Sequence, residues 1–479
     1  MLNITLFQHQ LEAVELMTEV ERKNDGLGSV LAHDMGLGKT LTSIAFLLQK
    51  RREDNASEPD LIICPLAVLF QWKEEILRFD PNQKVFIYHG KNRKEKINGE
   101  FDFVIGTYHN MITKELHHLK WNTVVLDEAH YIRNCHGRKN IKVPKKADGV
   151  FEMKNISKNR LCITGTPFNN RQEDVQSLMV FLGYSLEMPV EHFIKNCVIQ
   201  KSKEGIIKPF ITHMIPIESP EYEKQKSIEI YKPYEDAYGY YLKYIGMMRN
   251  CNNIVESQAL YNKAMGQMMK MKIFCDLFIT FVKLKEEYYE NPEDETEESE
   301  PDSYHEIPFT EEQMLSFYES SPKIKTVCDK IIELLPKDPN NKILVFSSFV
   351  TVLNILECVI NSKQKYIKTL KYTGSMSKEK RNESIVAFTE DKKEPTVLLA
   401  SLTAGNCGIN LVPCSTVFLV DIPLNPFEVL QGVNRVHRIT QKNEVNVYQF
   451  YMEKLIEKNI LTSHKKKIDL STKLGLNII

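Results

Sequence analysis

Residues 31–40 read LAHDMGLGKT and run into LTSIAFLLQK at 41–50. Two glycines spaced by one residue, then a lysine and a threonine, stand between an apolar run and a segment of helical texture. Glycine tolerates positive φ and lets a backbone come close to a ligand. A helix that starts directly after such a turn aims unpaired N–H groups, and about half a positive charge, back at the loop. Gly36 and Gly38 followed by Lys39 and Thr40 approach the phosphate-loop pattern G-x-x-x-x-G-K-[ST], with His33 in place of its first glycine. Taken alone, the run also suits an ordinary glycine turn ahead of a helix.

The second decisive stretch is VVLDEAH at 124–130. Three apolar residues ending in two acids place Asp127 and Glu128 at the carboxyl end of a buried strand, where open α/β sheets bind ligands. Two carboxylates there divide the work of nucleotide hydrolysis: Asp127 to hold Mg²⁺ together with the Thr40 hydroxyl, and Glu128 to orient and deprotonate the attacking water. Farther on, QGVNRVHRITQ at 431–441 puts Gln431, Arg435 and Arg438 at helical spacing. One or both arginines could project at the γ-phosphate; a basic surface face is the plain alternative.

Around these motifs, strand-like and helix-like runs alternate. LIICP, VFIYHG, DFVIGTY and TVVLDEAH lie in the first third, and KILVFSSF, YIKTLKYTGSM, TVLLASL and TVFLVDI in the last. Such alternation predicts parallel sheets covered by helices. Between them lie long charged helical patterns and an acidic stretch near 286–305, in a region without Lys or Arg from 286 to 322. The expected fold is therefore α/β, with two RecA-like parallel-sheet lobes: residues 1–175, a helical insertion over 176–320, and residues 321–479. With 479 residues and 42% hydrophobic content the chain can bury substantial cores, and a net charge of −1 neither favours nor excludes a polyanionic partner. The ten cysteines form no C-x-x-C pair, which speaks against zinc modules. No run approaches the roughly 18 apolar residues of a membrane span.

In chain order, LFQHQLEAVELM, LAHDMGLGKT, ICPLAVLFQWKEEI, VIGTYHNM, LDEAHYIRN, ITGTPFNN, KILVFSSF, LLASLTAGNCGINL and NRVHRITQ together resemble the Swi/Snf-type DNA-dependent ATPases, helicase-like motors of superfamily two. The resemblance implies an ATP- and Mg²⁺-dependent translocase on double-stranded DNA, acting in chromatin remodelling, DNA repair or transcription. The alternatives are a strand-separating DNA or RNA helicase and a non-catalytic nucleic-acid-binding subunit. It further implies that Gln10 reads the adenine edge and that Asp34, Met35, Gly36, Leu37, Gly38, Lys39, Thr40 and Gly408 line the nucleotide. Asp127 and Glu128 serve metal and water, while Arg435 and Arg438 complete the site. His130, Thr164 and Thr166 would link nucleotide to lobe movement, and Thr107, Ser348 and Thr403 would contact DNA phosphate. A monomeric motor with a recruiting protein partner and no membrane contact is expected, in a nucleus, or in a viral replication factory or virion for a viral protein.

Overall fold

Apolar runs without alternation, such as LIIC at 61–64 and FVIG at 103–106, need a covering layer on each face. In the computed structural model they are inner strands of parallel sheets. The structure describes residues 5–24, 26–90, 101–113, 115–132, 145–165, 172–220, 224–251, 254–277, 309–335, 341–390, 394–405 and 411–473. Two compact units divide the chain, residues 1–207 with 467–479, and residues 208–466.

The strands of the first unit are β1 (Ser29–Leu31), β2 (Asp60–Cys64), β3 (Val85–Tyr88), β4 (Phe103–Thr107), β5 (Trp121–Asp127), β6 (Ser157–Ile163) and β7 (Val198–Ile199). Its helices are α1 (Gln8–Lys23), α2 (Lys39–Glu53), α3 (Leu69–Phe79), α4 (Lys145–Glu152), α5 (Gln172–Leu182) and α6 (Val190–Cys197). Every described pairing is parallel, in the order β3-β4-β2-β5-β6-β1-β7. Parallel neighbours cannot be joined by a tight turn, so α2 carries the chain from β1 to β2 and α3 from β2 to β3. β1, β6 and β5 are consecutive in the sheet, so the segments leaving their carboxyl ends emerge side by side.

In the second unit the order is β10-β11-β9-β12-β13-β8, again with parallel pairings. Its strands are β8 (Ile211–Ile217), β9 (Lys342–Ser347), β10 (Lys368–Tyr372), β11 (Thr396–Ser401), β12 (Thr416–Leu419) and β13 (Asn446–Met452). The helices are α7 (Lys224–Arg249), α8 (Ile254–Leu277), α9 (Glu311–Ser320), α10 (Pro322–Leu334), α11 (Val350–Lys363), α12 (Lys378–Glu390), α13 (Leu402–Gly405), α14 (Pro426–Val433) and α15 (Ile456–Lys473). Along β9 the strand period of two sends Ile343 and Val345 into one apolar cluster and Leu344 and Phe346 into another, so both faces of the sheet are covered.

The stretch expected to be a helical insertion holds the long helices α7 and α8, and it also supplies β7 to one sheet and β8 to the other. β8, ITHMIPI, escapes a pattern reading because it is an edge strand, largely exposed along its length, with Pro216 inside it. The acidic stretch near 286–305 lies outside the described residues. Among them, no helix is long and apolar enough to cross a membrane.

Charge is buried at the heart of the second unit. Lys323 Nζ, at the start of α10, lies 2.7 Å from Asp276 Oδ1 of α8 and 2.7 and 2.8 Å from the two oxygens of Glu457 of α15, and all three side chains are fully buried. Glu457 also accepts the Met452 N–H at 2.8 Å, and Ser321 caps α10 while donating to the Asp276 carbonyl at 2.6 Å. Burial holds the Asp276 carboxyl well above the usual carboxylate range, despite Lys323. One cation thus ties three helices together. Lys323→Met leaves two carboxyls facing each other in a dry site and is expected to cost about 3–5 kcal/mol in urea unfolding of the whole chain at neutral pH. The deficit should shrink as pH falls, beginning above the ordinary carboxylate range, because burial already holds the Asp276 carboxyl up and its protonation removes an unpaired charge.

Candidate active site

Beyond β1 the chain must turn toward α2 within a few residues, and it does so at two left-handed glycines, Gly36 at φ +89° and Gly38 at φ +78°. Gly38 caps α2 without a side-chain hydrogen bond, which leaves first-turn N–H groups for an anion. The left-handed φ favours glycine at 38, and a Cβ there would stand 2.3 Å from Gln10 Nε2 and displace that amide. Gln10 Nε2 donates to the Leu37 and Gly38 carbonyls, both at 3.4 Å, while its Oε1 accepts the Phe7 N–H. Lys39 Nζ donates to the His33 carbonyl at 2.7 Å. Burial, helped by the charge of Lys39, pushes the His33 imidazole down to about 4, so it is neutral at physiological pH. Asp34 accepts the Lys203 N–H at 2.9 Å, and burial raises its carboxyl. Thr40 lies in the first turn of α2.

Two strands away, β5 ends on the acidic pair. Asp127 Oδ2 accepts the indole N–H of Trp72 at 2.7 Å, its Oδ1 accepts the Glu128 N–H at 3.0 Å, and its carbonyl accepts the Tyr108 hydroxyl at 2.8 Å. Burial first, and then the neighbouring Glu128 charge, raise the Asp127 carboxyl to about 6, with Trp72 and Lys39 acting in the other direction. Glu128 adopts φ +52°, a left-handed conformation that costs a non-glycine residue on the order of 1 kcal/mol and is concentrated at functional sites. It turns the chain sharply at the strand end. His130 Nδ1 stands 3.2 Å from Glu128 Oε2. Between the two motifs, Thr164 and Gly165 follow β6; a Cβ on Gly165 would lie 2.7 Å from Met35 Cγ and 3.4 Å from Lys39 Nζ. Loop, Gly165 and acidic pair therefore share one edge of one sheet.

The other sequence-derived candidates are placed as follows. Thr107 is buried, and its hydroxyl and N–H both donate to Asn110 Oδ1 at 2.8 Å. In the second unit the Ser348 hydroxyl and N–H donate to Asp421, whose carboxylate also meets Lys272 Nζ at 3.3 Å. Both hydroxyl hydrogens must be redirected before they can serve a phosphate. Thr403 lies in α13 with only its backbone described, and Gly408 and Thr166 lie outside the described residues. Gln431, Arg435 and Arg438 do not share one helix: α14 ends at Val433, and tighter turns follow, with the Arg435 N–H on the Gly432 carbonyl and the Val436 N–H on that of Val433. Beyond the helix Val436 and His437 are both buried, and His437 Nε2 is bonded to the Lys208 carbonyl. Arg435 and Arg438 lie on these turns, part-buried.

Trp72 and Tyr108 are the site residues that pattern reading misses. On α3, Trp72 follows the amphipathic period of a packed residue and is 1% exposed; nothing in sequence separates an indole that also donates from one that only fills space. Trp72→Phe keeps the packing and removes the donor. On the expectation that Asp127 holds Mg²⁺, it should weaken Mg²⁺-dependent ATP binding by about tenfold or more, as loss of a group that orients a metal ligand does; calorimetry with ATP and Mg²⁺ measures it, and parental affinity would contradict the orienting role.

The chain is similar to known proteins along most of its length. The SNF2-related domain model matches residues 9–331 and the helicase conserved C-terminal domain residues 323–440. The yeast "ISWI chromatin-remodeling complex ATPase ISW2" (Saccharomyces cerevisiae) is 29% identical over 93% of this chain and 39% of its own length. The Arabidopsis thaliana "ATP-dependent DNA helicase DDM1" is 27% identical over 97% of this chain and 61% of its own. A human "SWI/SNF-related matrix-associated actin-dependent regulator of chromatin subfamily A member 1" is 28% identical over 94% and 42%. The chain thus spans about two fifths to three fifths of these relatives. A solved "Sulfolobus solfataricus SWI2/SNF2 ATPase core in complex with dsDNA" aligns over 98% of this chain and 92% of its own, with 21% identity and a TM-score of 0.41. With the first model matching well over half of its residues, the chain belongs to the SNF2-related family, followed by a helicase conserved C-terminal domain.

Proposed function

We propose that the chain is an ATP-hydrolysing translocase on double-stranded DNA, serving chromatin remodelling, DNA repair or transcription. The observation that carries this reading is the shared sheet edge in the first unit, where a left-handed glycine loop with Lys39 faces a buried Asp127 beside a strained Glu128. The loop N–H groups and Lys39 bind the phosphates of ATP. Asp127 and the Thr40 hydroxyl suit Mg²⁺, which takes hard oxygen donors, and Asp127 is a carboxylate whose charge is disfavoured by burial and by Glu128. When bound, Mg²⁺ neutralises charge developing on the phosphates.

Glu128 accepts the proton of the attacking water; the strand-end turn places it, and the His130 imidazole lies beside it, with Nδ1 3.2 Å from Oε2. Arg435 and Arg438 act on the nucleotide, where an arginine at the γ-phosphate accelerates transfer by roughly 10³ to 10⁵. Thr107, Ser348 and Thr403 contact the DNA backbone, which gives binding without sequence preference. The family names of the relatives, which include remodelling ATPases, support a nuclear setting and recruitment by a protein partner; a viral factory or virion applies to a viral protein.

The test is ATP hydrolysis and triplex displacement on one duplex. Duplex DNA of any sequence should raise the ATPase rate, RNA should raise it little, and DNA affinity should fall with salt by about 0.9 in log–log slope for each phosphate neutralised. A third strand should be displaced without separation of the duplex. Separation of a blunt duplex, or equal stimulation by RNA, would favour the strand-separating helicase suggested by the printed name of one relative.

A further inference from the structure

The rings beside the acidic pair form a closed circuit. It starts at the Asp127 carbonyl, which accepts the Tyr108 hydroxyl at 2.8 Å. The Tyr108 ring stacks on Tyr131, with centroids 5.0 Å apart and planes 18° apart. Tyr131 stacks in turn on His130, at 5.0 Å and 27°. His130 Nδ1 lies 3.2 Å from Glu128 Oε2, and the Asp127–Glu128 peptide closes the loop. The Tyr131 N–H adds a bond to the Glu128 carbonyl at 3.0 Å.

Tyr108 is buried, whereas Tyr131 is 57% exposed. Filling a core does not explain an aromatic left that open, but its two ring contacts do: they join the segment after β4 to the imidazole that faces Glu128. Glu128 needs such support. Its backbone is held in a left-handed conformation, its side chain has three rotatable bonds, and misplacing a reacting group by about 1 Å can cost on the order of 10² in rate.

We propose that Tyr131 is a positioning residue, which clamps the His130 imidazole against Glu128 and ties that pair to Tyr108 and the loop at 107–110. The assignment rests on Glu128 being the group that activates water. It also gives the 107–110 segment, where a DNA-contacting threonine is proposed, a physical connection to the hydrolytic carboxylate that does not pass through the second unit.

Two measurements on the whole chain test it. In steady-state ATP hydrolysis, Tyr131→Ala should lower kcat about tenfold or more, with KM for ATP and the melting temperature little changed, and Tyr131→Phe should restore kcat to within about twofold. Unchanged kcat in Tyr131→Ala, or a parallel loss in Tyr131→Phe, overturns the proposal. The second readout needs no turnover. The His130 ring-proton NMR signal, identified by its loss in His130→Asn, should move when Glu128→Gln is added to the parental or the Tyr131→Phe chain, and should not respond in the Tyr131→Ala chain. An equal response in Tyr131→Ala overturns the clamp. A parental chain that shows the coupling but hydrolyses no ATP supports the clamp and removes the proposed function instead.

Discussion

Asp127 is a carboxylate buried at the end of a strand with a second carboxylate as its next residue. Desolvation and repulsion hold its proton to about 6, and the surroundings are arranged as responses to that condition. Trp72 offers an indole N–H from α3, the Glu128 peptide offers another, and the Lys39 ammonium acts from the glycine loop. Each response needs a different element at the same sheet edge, and the order β5-β6-β1 brings the last of them within electrostatic reach. A buried anion with incomplete compensation is a poor structural element but a good seat for a divalent cation. The strain at Glu128 belongs to the same arrangement, because a sharp turn at the strand end is what lets two consecutive residues both present carboxylates there.

The second unit deals with buried charge by pairing it directly. Lys323 sits between Asp276 and Glu457, and Lys272 meets an Asp421 that also accepts from Ser347 and Ser348. Burial alone would raise the Asp421 carboxyl, yet Lys272 and the serines hold it below the ordinary carboxylate range. Asp421 thus stays charged where Asp127 does so less readily, and the physical difference is first the neighbouring charge, an ammonium beside Asp421 against a carboxylate beside Asp127, and then the serine donors. Lys272 lies on α8, so the charge that orders Ser348 at the end of β9 is supplied by one of the two long helices. The position of that helix and the conformation of the serine are therefore linked.

Much of the fold was readable because inner strands such as β2, β4, β9 and β11 each contain an unbroken run of four apolar residues, the mark of a strand covered on both faces. β1 was hidden by its length of three residues and β6 by the polar start of SKNRLCI. β8 was hidden because an edge strand has little to bury and tolerates proline. At the site, glycines and consecutive acids are distinctive in residue type alone, so a turn at 36–38 and an acidic strand end at 127–128 could be expected from sequence, and the structure places both at one sheet edge. Trp72, Tyr108 and Tyr131 could not, since their roles arise from which neighbour each ring or donor meets across the fold. The spacing of Gln431, Arg435 and Arg438 suggested one helix, whereas α14 ends at Val433 and tighter turns carry the two arginines.

The measurement closest to the central claim compares Glu128→Gln with the parental chain for both ATP binding and turnover. The amide keeps the shape of the side chain and its place in the left-handed turn, and it cannot take the proton of the attacking water. ATP affinity should stay near the parental value while turnover falls by about 10²- to 10⁴-fold, the usual contribution of a general base. Hydrolysis at the parental rate would contradict the account, for it would leave the strained carboxylate without the chemical role that its surroundings are arranged to support.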